Sequence, residues 1–173
     1  MQEELWENGN SNTIINAYNT ADVSTTSWVT GGIIGYYNGE NNYIYNSYNI
    51  GNISAGNSWV SYSVANGIGN IGTNGKIANC YNIGKLKGNG WTGNCVIGTG
   101  SSGNDENCYY LRGVETENNC VVDKNAISFL LEKCDEVVEN LNKYIDENST
   151  NEEIHIDLWK KWKVGEDGYP TFE

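Results

Sequence analysis

Three tryptophans recur at one phase of this chain. Trp28, Trp59 and Trp91 lie ten, eleven and ten residues after Tyr18, Tyr48 and Tyr81, in stretches made mostly of Ser, Thr, Gly and Asn. Indoles so placed have two uses. They form a half-buried corner ladder that shields a core, or an exposed strip that docks sugar rings or protein side chains. The three are the candidate ligand-binding residues of the chain. Its other reactive side chains are poorly arranged for chemistry. Cys80, Cys95, Cys108, Cys120 and Cys134 show no Cys-x-x-Cys spacing, so no metal ligands are assigned. His155 is the single histidine, which excludes a His-Glu-x-x-His zinc site and reads as a surface residue. The Gly-rich stretches lack the Gly-Lys-Ser/Thr ending of a phosphate loop, and no Asp-x-Asn-x-Asp-Gly calcium loop occurs. No catalytic residue, cofactor or metal is therefore expected, and the chain reads as no enzyme.

Those indoles need a scaffold, and the composition describes it. Of 173 residues, 28 are Asn and 21 Gly, with a single Pro, Pro170, and 12% aromatics. A disordered chain carries more Pro and charge and fewer aromatics, so this one folds with many turns. The net charge of −12 is uneven: residues 1–104 hold five acids against three bases, residues 105–173 seventeen against seven. Such acidity repels phosphate backbones and anionic lipid, which argues against nucleic-acid and membrane partners. No stretch of 18 apolar residues is present, and the first residues show no signal peptide.

Four segments align on a tyrosine: Ile14-Ile-Asn-Ala-Tyr18, Ile44-Tyr-Asn-Ser-Tyr48, Ile77-Ala-Asn-Cys-Tyr81 and Asp105-Glu-Asn-Cys-Tyr109, spaced 30, 33 and 28 residues apart. An Asn stands two positions before each anchor (Asn16, Asn46, Asn79, Asn107), and an aliphatic residue five after it (Val23, Ile53, Leu86, Val114). A Gly-flanked apolar patch follows in the first three repeats, as in Gly32-Ile-Ile-Gly35. A unit of about 30 residues with three short strands matches one coil of a parallel β-helix. Equivalent residues would then stack about 4.8 Å apart, giving apolar ladders and an amide ladder, with Asn in left-handed corners. Cys80 and Cys108 would stack one coil apart. They read as free buried thiols, although a disulfide is within reach at that spacing.

The pattern Asn-x-Tyr-Asn-x-Gly-x-Ile followed by Gly-Gly-Ile-Ile-Gly resembles the GLUG-type repeats of bacterial surface proteins. Gly32-Ile33-Ile34-Gly35-Tyr36 and Asn79-Cys80-Tyr81-Asn82-Ile83-Gly84 carry the likeness, over roughly residues 5–115. The third repeat departs from it at Gly93-Asn94-Cys95, and the second has extra residues around Asn57–Val64. The resemblance implies a large secreted protein of Gram-positive or gut bacteria. Proteins of that kind include immunoglobulin-A-specific metallopeptidases, in which such repeats are non-catalytic.

Beyond Ile127 the apolar spacing turns helical, through Leu130, Leu131, Cys134, Val137, Val138, Leu141, Tyr144 and Ile145. It predicts one helix over residues 126–147, capped by Asp123 or Asn125 and laid across the last coil to seal it. The segments Leu158–Trp162 and Gly168–Phe172 read as strand, turn and strand, and look like the end of a GLUG-type array. The expected fold is thus mainly β: a short right-handed parallel β-helix (β-solenoid) of about three coils over residues 1–116, with a C-terminal α-helical cap over 117–173. The expected function is a non-catalytic structural or adhesive module of an extracellular bacterial surface protein, facing a glycan or host protein. The alternative is an accessory substrate-binding domain of a secreted enzyme catalysed elsewhere. Either way the native chain is expected to continue upstream with more coils or another domain, because an open first coil invites strand addition. If the indoles form a docking strip, Trp59→Ala abolishes binding on glycan or host-protein arrays without loss of fold. Blue-shifted, quencher-resistant emission from the parent, with Trp59→Ala merely destabilising, assigns them to a core ladder.

Overall fold

Parallel pairing between residues one repeat apart organises the chain. The computed structural model describes residues 12–26, 29–36, 40–56, 64–71, 74–88, 94–95, 97–98, 104–114 and 120–173. It is mainly β, with parallel sheets and one C-terminal helix, an arrangement consistent with a parallel β-helix-like fold. One sheet stacks Thr13–Ile15, Tyr43–Tyr45, Lys76–Ala78 and Asn104–Glu106. A second stacks Tyr18–Asn19, Tyr48–Asn49, Tyr81–Asn82, Tyr109–Leu111 and Ile127–Phe129. The register follows the repeat, with Ile14 opposite Ile44 and Ile44 opposite Ile77. Val23, Ile53 and Leu86 are likewise in register, and Val114 is buried in the same core.

The strands are shorter and more numerous than three per coil. The first repeat holds Thr13–Ile15, Tyr18–Asn19, Val23–Thr25, Val29–Gly31 and Ile34–Tyr36, each of two or three residues. Corners interrupt them. Asn16, Asn46, Asn79 and Asn107 all have φ between 48° and 56°, a left-handed conformation that Asn tolerates better than other non-glycine residues. Asn41 and Asn74 repeat the device just before the first sheet. Where segments one repeat apart approach closely, no side chain fits: a Cβ on Gly84 would lie 1.9 Å from the Gly51 carbonyl oxygen.

Alternation along each strand sorts side chains to two faces. Inward go Ile44, Ile53, Ile68, Ile77, Leu86 and Ile97, each at most 1% exposed. Each such side chain contributes roughly 1.5–3 kcal/mol by leaving water. Cys80 and Cys108 are free and wholly buried in this core, as their repeat phase predicts. Outward go Tyr45, Tyr48, Ala78, Tyr81 and Tyr109, which are also buried, in a second cluster with Val137, Leu141, Ile145, Trp159 and Trp162. The C-terminal segment therefore covers the flank of the stack, which corrects the expectation of a helix across its end. The outer faces of the first two sheets are too apolar to stand in water, and the segment lies along them.

The helix is also shorter than its apolar spacing suggests. It runs Cys134–Glu147 (α1), preceded by a 3-10 turn at Leu131–Lys133. Ile127–Phe129 instead forms a strand parallel to Tyr109–Leu111, fixed by hydrogen bonds from Ile127 N to Cys108 O and from Arg112 N to Phe129 O. A waiting sheet edge outcompetes helical propensity there. Parallel pairing accordingly continues past residue 116, with Cys120–Val121 opposite Asn94–Cys95 as well. Neither expected cap residue caps a helix. Asp123 accepts hydrogen bonds from Ile97 N and Gly98 N, and Asn125 donates its backbone N–H to Asp105. Asp105 takes the place of Ile77 one level on and is 2% exposed. Burial raises its pKa, opposed by the Asn125 hydrogen bond. Among the described residues no helix is long and apolar enough to cross a membrane.

The lateral packing separates two leucines that the spacing treats alike. Leu141 is fully buried and Leu131 is 51% exposed. In urea unfolding, Leu141→Asp is expected to lose about 3 kcal/mol or more, as a charge buried without a partner. Leu131→Asp is expected to change stability by about 0.5 kcal/mol or less, as surface substitutions do. Equal losses would return α1 to the end of the stack.

Candidate functional site: an aromatic groove on the flank

The recurring Tyr-Asn dipeptide builds the site. In-register parallel pairing places Tyr18 opposite Tyr48 and Tyr48 opposite Tyr81. Side chains of one type at one strand spacing must stack, and they do: the ring centroids are 5.3 and 5.1 Å apart, at interplanar angles of 12° and 2°. The following asparagines form a second amide ladder, Asn19 Nδ2 to Asn49 Oδ1 at 2.7 Å and Asn49 Nδ2 to Asn82 Oδ1 at 2.8 Å. Each also donates to a carbonyl two residues on, as Asn49 does to Gly51, so the residue that stacks also folds the turn.

The C-terminal strap meets the coils along the corner asparagines. Asn46 Nδ2 donates to Asn16 Oδ1, Asn79 Nδ2 to Asn46 Oδ1 and Asn107 Nδ2 to Asn79 Oδ1, at 2.6–2.7 Å. The strap bonds to that ladder at its first, second and fourth levels. Asn107 Nδ2 reaches Asn140 O on α1. Trp162 Nε1 donates to Asn46 Oδ1 at 2.6 Å, and Asn46 Nδ2 donates to Lys160 O. At the first level Asn16 Nδ2 donates to Leu158 O and Lys160 N donates to Asn16 Oδ1. After α1 the chain thus returns along the stack from its fourth level to its first. It ends in an antiparallel pair, Trp162–Val164 with Pro170–Phe172, Trp162 opposite Phe172. The first strand thus starts where the expected Leu158–Trp162 strand ends, since Leu158 closes a 3-10 turn.

Between this hairpin and the tyrosine stack lies a groove of about 620 Å³, its walls including Tyr18, Tyr48, Tyr81, Lys160, Asp167 and Phe172. Tyr81 donates its hydroxyl to Pro170 O, and Tyr48 shares a hydrogen bond with Thr171 at 3.1 Å. Phe172 stands edge-on to Tyr48 at 5.3 Å and to Tyr18 at 6.4 Å. Burial pushes the Tyr48 and Tyr81 hydroxyls above their ordinary pKa, so both stay protonated. Tyr18, last of the stack, is 61% exposed. Asp167, Glu166 and Glu173 are exposed at the rim.

The sequence-derived site residues Trp28, Trp59 and Trp91 lie outside the described residues. The aromatic groove was not anticipated, although its tyrosines served as repeat anchors. The signal for it was the Tyr-Asn dipeptide at constant spacing. The contribution of Phe172 and Lys160 across more than 100 residues had no local signal. Among the described residues no three His, Cys, Asp or Glu side chains gather as a metal site, and His155 is an exposed left-handed linker between two 3-10 turns.

No family model matches the chain, and no curated protein matches it. Among solved structures it is similar to the crystal structure of a protein named "putative immunoglobulin A1 protease" from Bacteroides ovatus. The TM-score is 0.62 at 24% identity, over 97% of this chain and 49% of the other. The two share a fold, and this chain spans about half the length of that structure.

Asn46 combines a left-handed backbone with side-chain bonds to the strap and the ladder, among them the acceptor for Trp162 Nε1. Asn46→Ala is expected to cost about 3 kcal/mol: about 1–2 for a left-handed alanine and about 1–3 for the orphaned indole N–H. Asn46→Gly removes the backbone part, since glycine adopts that conformation freely, and recovers about 1 kcal/mol in urea unfolding. Identical losses in the two variants would show that the corner conformation contributes nothing.

Proposed function

We propose that the chain is a non-catalytic structural and adhesive module of an extracellular bacterial surface protein, a short right-handed β-solenoid of GLUG-type repeats held by its C-terminal strap. One observation carries the reading: corner asparagines of the first, second and fourth levels are each hydrogen-bonded to one continuous C-terminal segment. An assembly tied from end to end along its length is suited to presenting a fixed surface. The groove supports binding over catalysis, because its ionisable rim groups are exposed and its floor is a packed stack of rings. Trp28, Trp59 and Trp91 remain the candidates for a second docking face at another phase of the repeat.

A second reading has an observation of its own. The neighbour of like fold carries a protease name and is twice as long, which favours an accessory substrate-binding domain beside a catalytic domain in a longer secreted chain. Both readings require the module outside the cell. In the source bacterium, antibody raised against residues 12–173 is expected to label intact cells or culture medium, and the purified chain to turn over neither peptide nor glycoside substrates. Labelling only after lysis would overturn the location. Turnover by the purified chain that disappears in Asp167→Asn would overturn the non-catalytic role.

A further inference from the structure

We propose that the groove beside the tyrosine stack is a binding site for an uncharged oligosaccharide, one sugar ring of which lies on the open face of Tyr18. The inference rests on the adhesive reading above and names the ligand class of its site. Among the described residues Tyr18 is the last ring of a stack whose neighbouring members are closed off: Tyr48 is 5% exposed and Tyr81 0%, against 61% for Tyr18. Its plane is set from below by Tyr48, 12° from parallel, and from the side by the edge of Phe172 at 70°. An aromatic face held in that way is pre-organised, so a flat ring that stacks on it orders little of the protein. The groove at about 620 Å³ is within the ordinary size of small-ligand sites.

The rim selects among flat ligands. Beside the rings stand Thr20, Lys160, Glu166, Asp167 and Glu173, a mixture of donors and acceptors. Sugar hydroxyls donate to carboxylates and accept from an ammonium or hydroxyl group, so a neutral sugar uses both kinds. Three carboxylates against one lysine, on a chain of net charge −12, oppose uronic acids, sialic acids and phosphorylated ligands. The Lys160 ammonium lies 5.8 Å from the Phe172 ring centroid, above the same groove, and hinders a polycationic peptide at the aromatic wall.

The test is titration of the purified chain with maltohexaose, cellohexaose, xylohexaose, mannohexaose and chitohexaose, with hexagalacturonate as the charged control, read by calorimetry and by NMR shifts of the Tyr and Phe rings. At least one neutral probe is expected to bind saturably and to shift Tyr18, Tyr48 and Phe172. Tyr18→Ala is expected to weaken that probe by about tenfold or more, or about 1.4 kcal/mol, with the fold retained, because the ring is mostly exposed and only its stacking on Tyr48 is lost. Tyr18→Phe keeps the stacking face and is expected to bind like the parent. Absence of saturable binding by every neutral probe up to about 10 mM overturns the proposal. So does binding indifferent to Tyr18→Ala, a preference for hexagalacturonate, or a lysine-rich peptide occupying the groove in place of sugar. Failure here with intact surface labelling of cells removes the sugar site and leaves the module reading standing, whereas sugar binding with an intracellular location removes the latter.

Discussion

Most paired strand residues have their counterpart one repeat away in the neighbouring parallel strand, and that registry sets much of the rest. Parallel backbone pairing at one strand spacing forces like side chains into columns, and a column is stable only when its members tolerate their own kind. Isoleucine and leucine do so by packing, tyrosine by stacking, and asparagine by donating from one amide to the oxygen of the next. The corner column carries a second demand, a left-handed backbone at each level, which few other residues meet without strain. Asparagine satisfies both, and that is the physical reason for its abundance here.

Registry also creates a difficulty that the C-terminal segment resolves. Alternation puts one face of each strand inward and the other outward, and in the first two sheets the outward face is rich in tyrosine. An exposed apolar strip of that length would be an association surface. The strap buries it as a second core, with Leu141 and Trp162 almost entirely withdrawn from water. Its polar backbone is matched to the amide column, so that Lys160 and Leu158 bond to corner asparagines as they pass. The segment therefore holds different coils to one another as well as covering them.

The groove is a by-product of how the strap ends. Because the hairpin contacts the tyrosine stack from the side through Thr171, Pro170 and Phe172, it leaves Tyr18, the last ring among the described residues, largely exposed. The acidic character of the C-terminal third is brought to the rim by the same turn, through Glu166 and Asp167. Rigid rings from the repeat and titratable side chains from the strap meet there, although the two are distant in sequence.

The local and repetitive parts of the molecule were legible from the amino acids alone. Anchor spacing of about 30 residues located the columns, and the constant phase of Ile14, Ile44 and Ile77 or of Cys80 and Cys108 identified their inward members, because registry copies sequence period directly into space. The last strand was readable from Gly168–Phe172, while its partner, expected at Leu158–Trp162, lies at Trp162–Val164. What tertiary structure decided was whatever depended on competition between distant partners. Ile127–Phe129 has helical spacing, yet an unpaired sheet edge claimed it. Asp123 has the form of a helix cap, yet two backbone amides of the preceding coil took its carboxylate. The side of the stack on which the helix rests follows from the summed apolar area of the outer faces, a quantity no single stretch of sequence carries. The groove exists only because the strap comes back to the first coil.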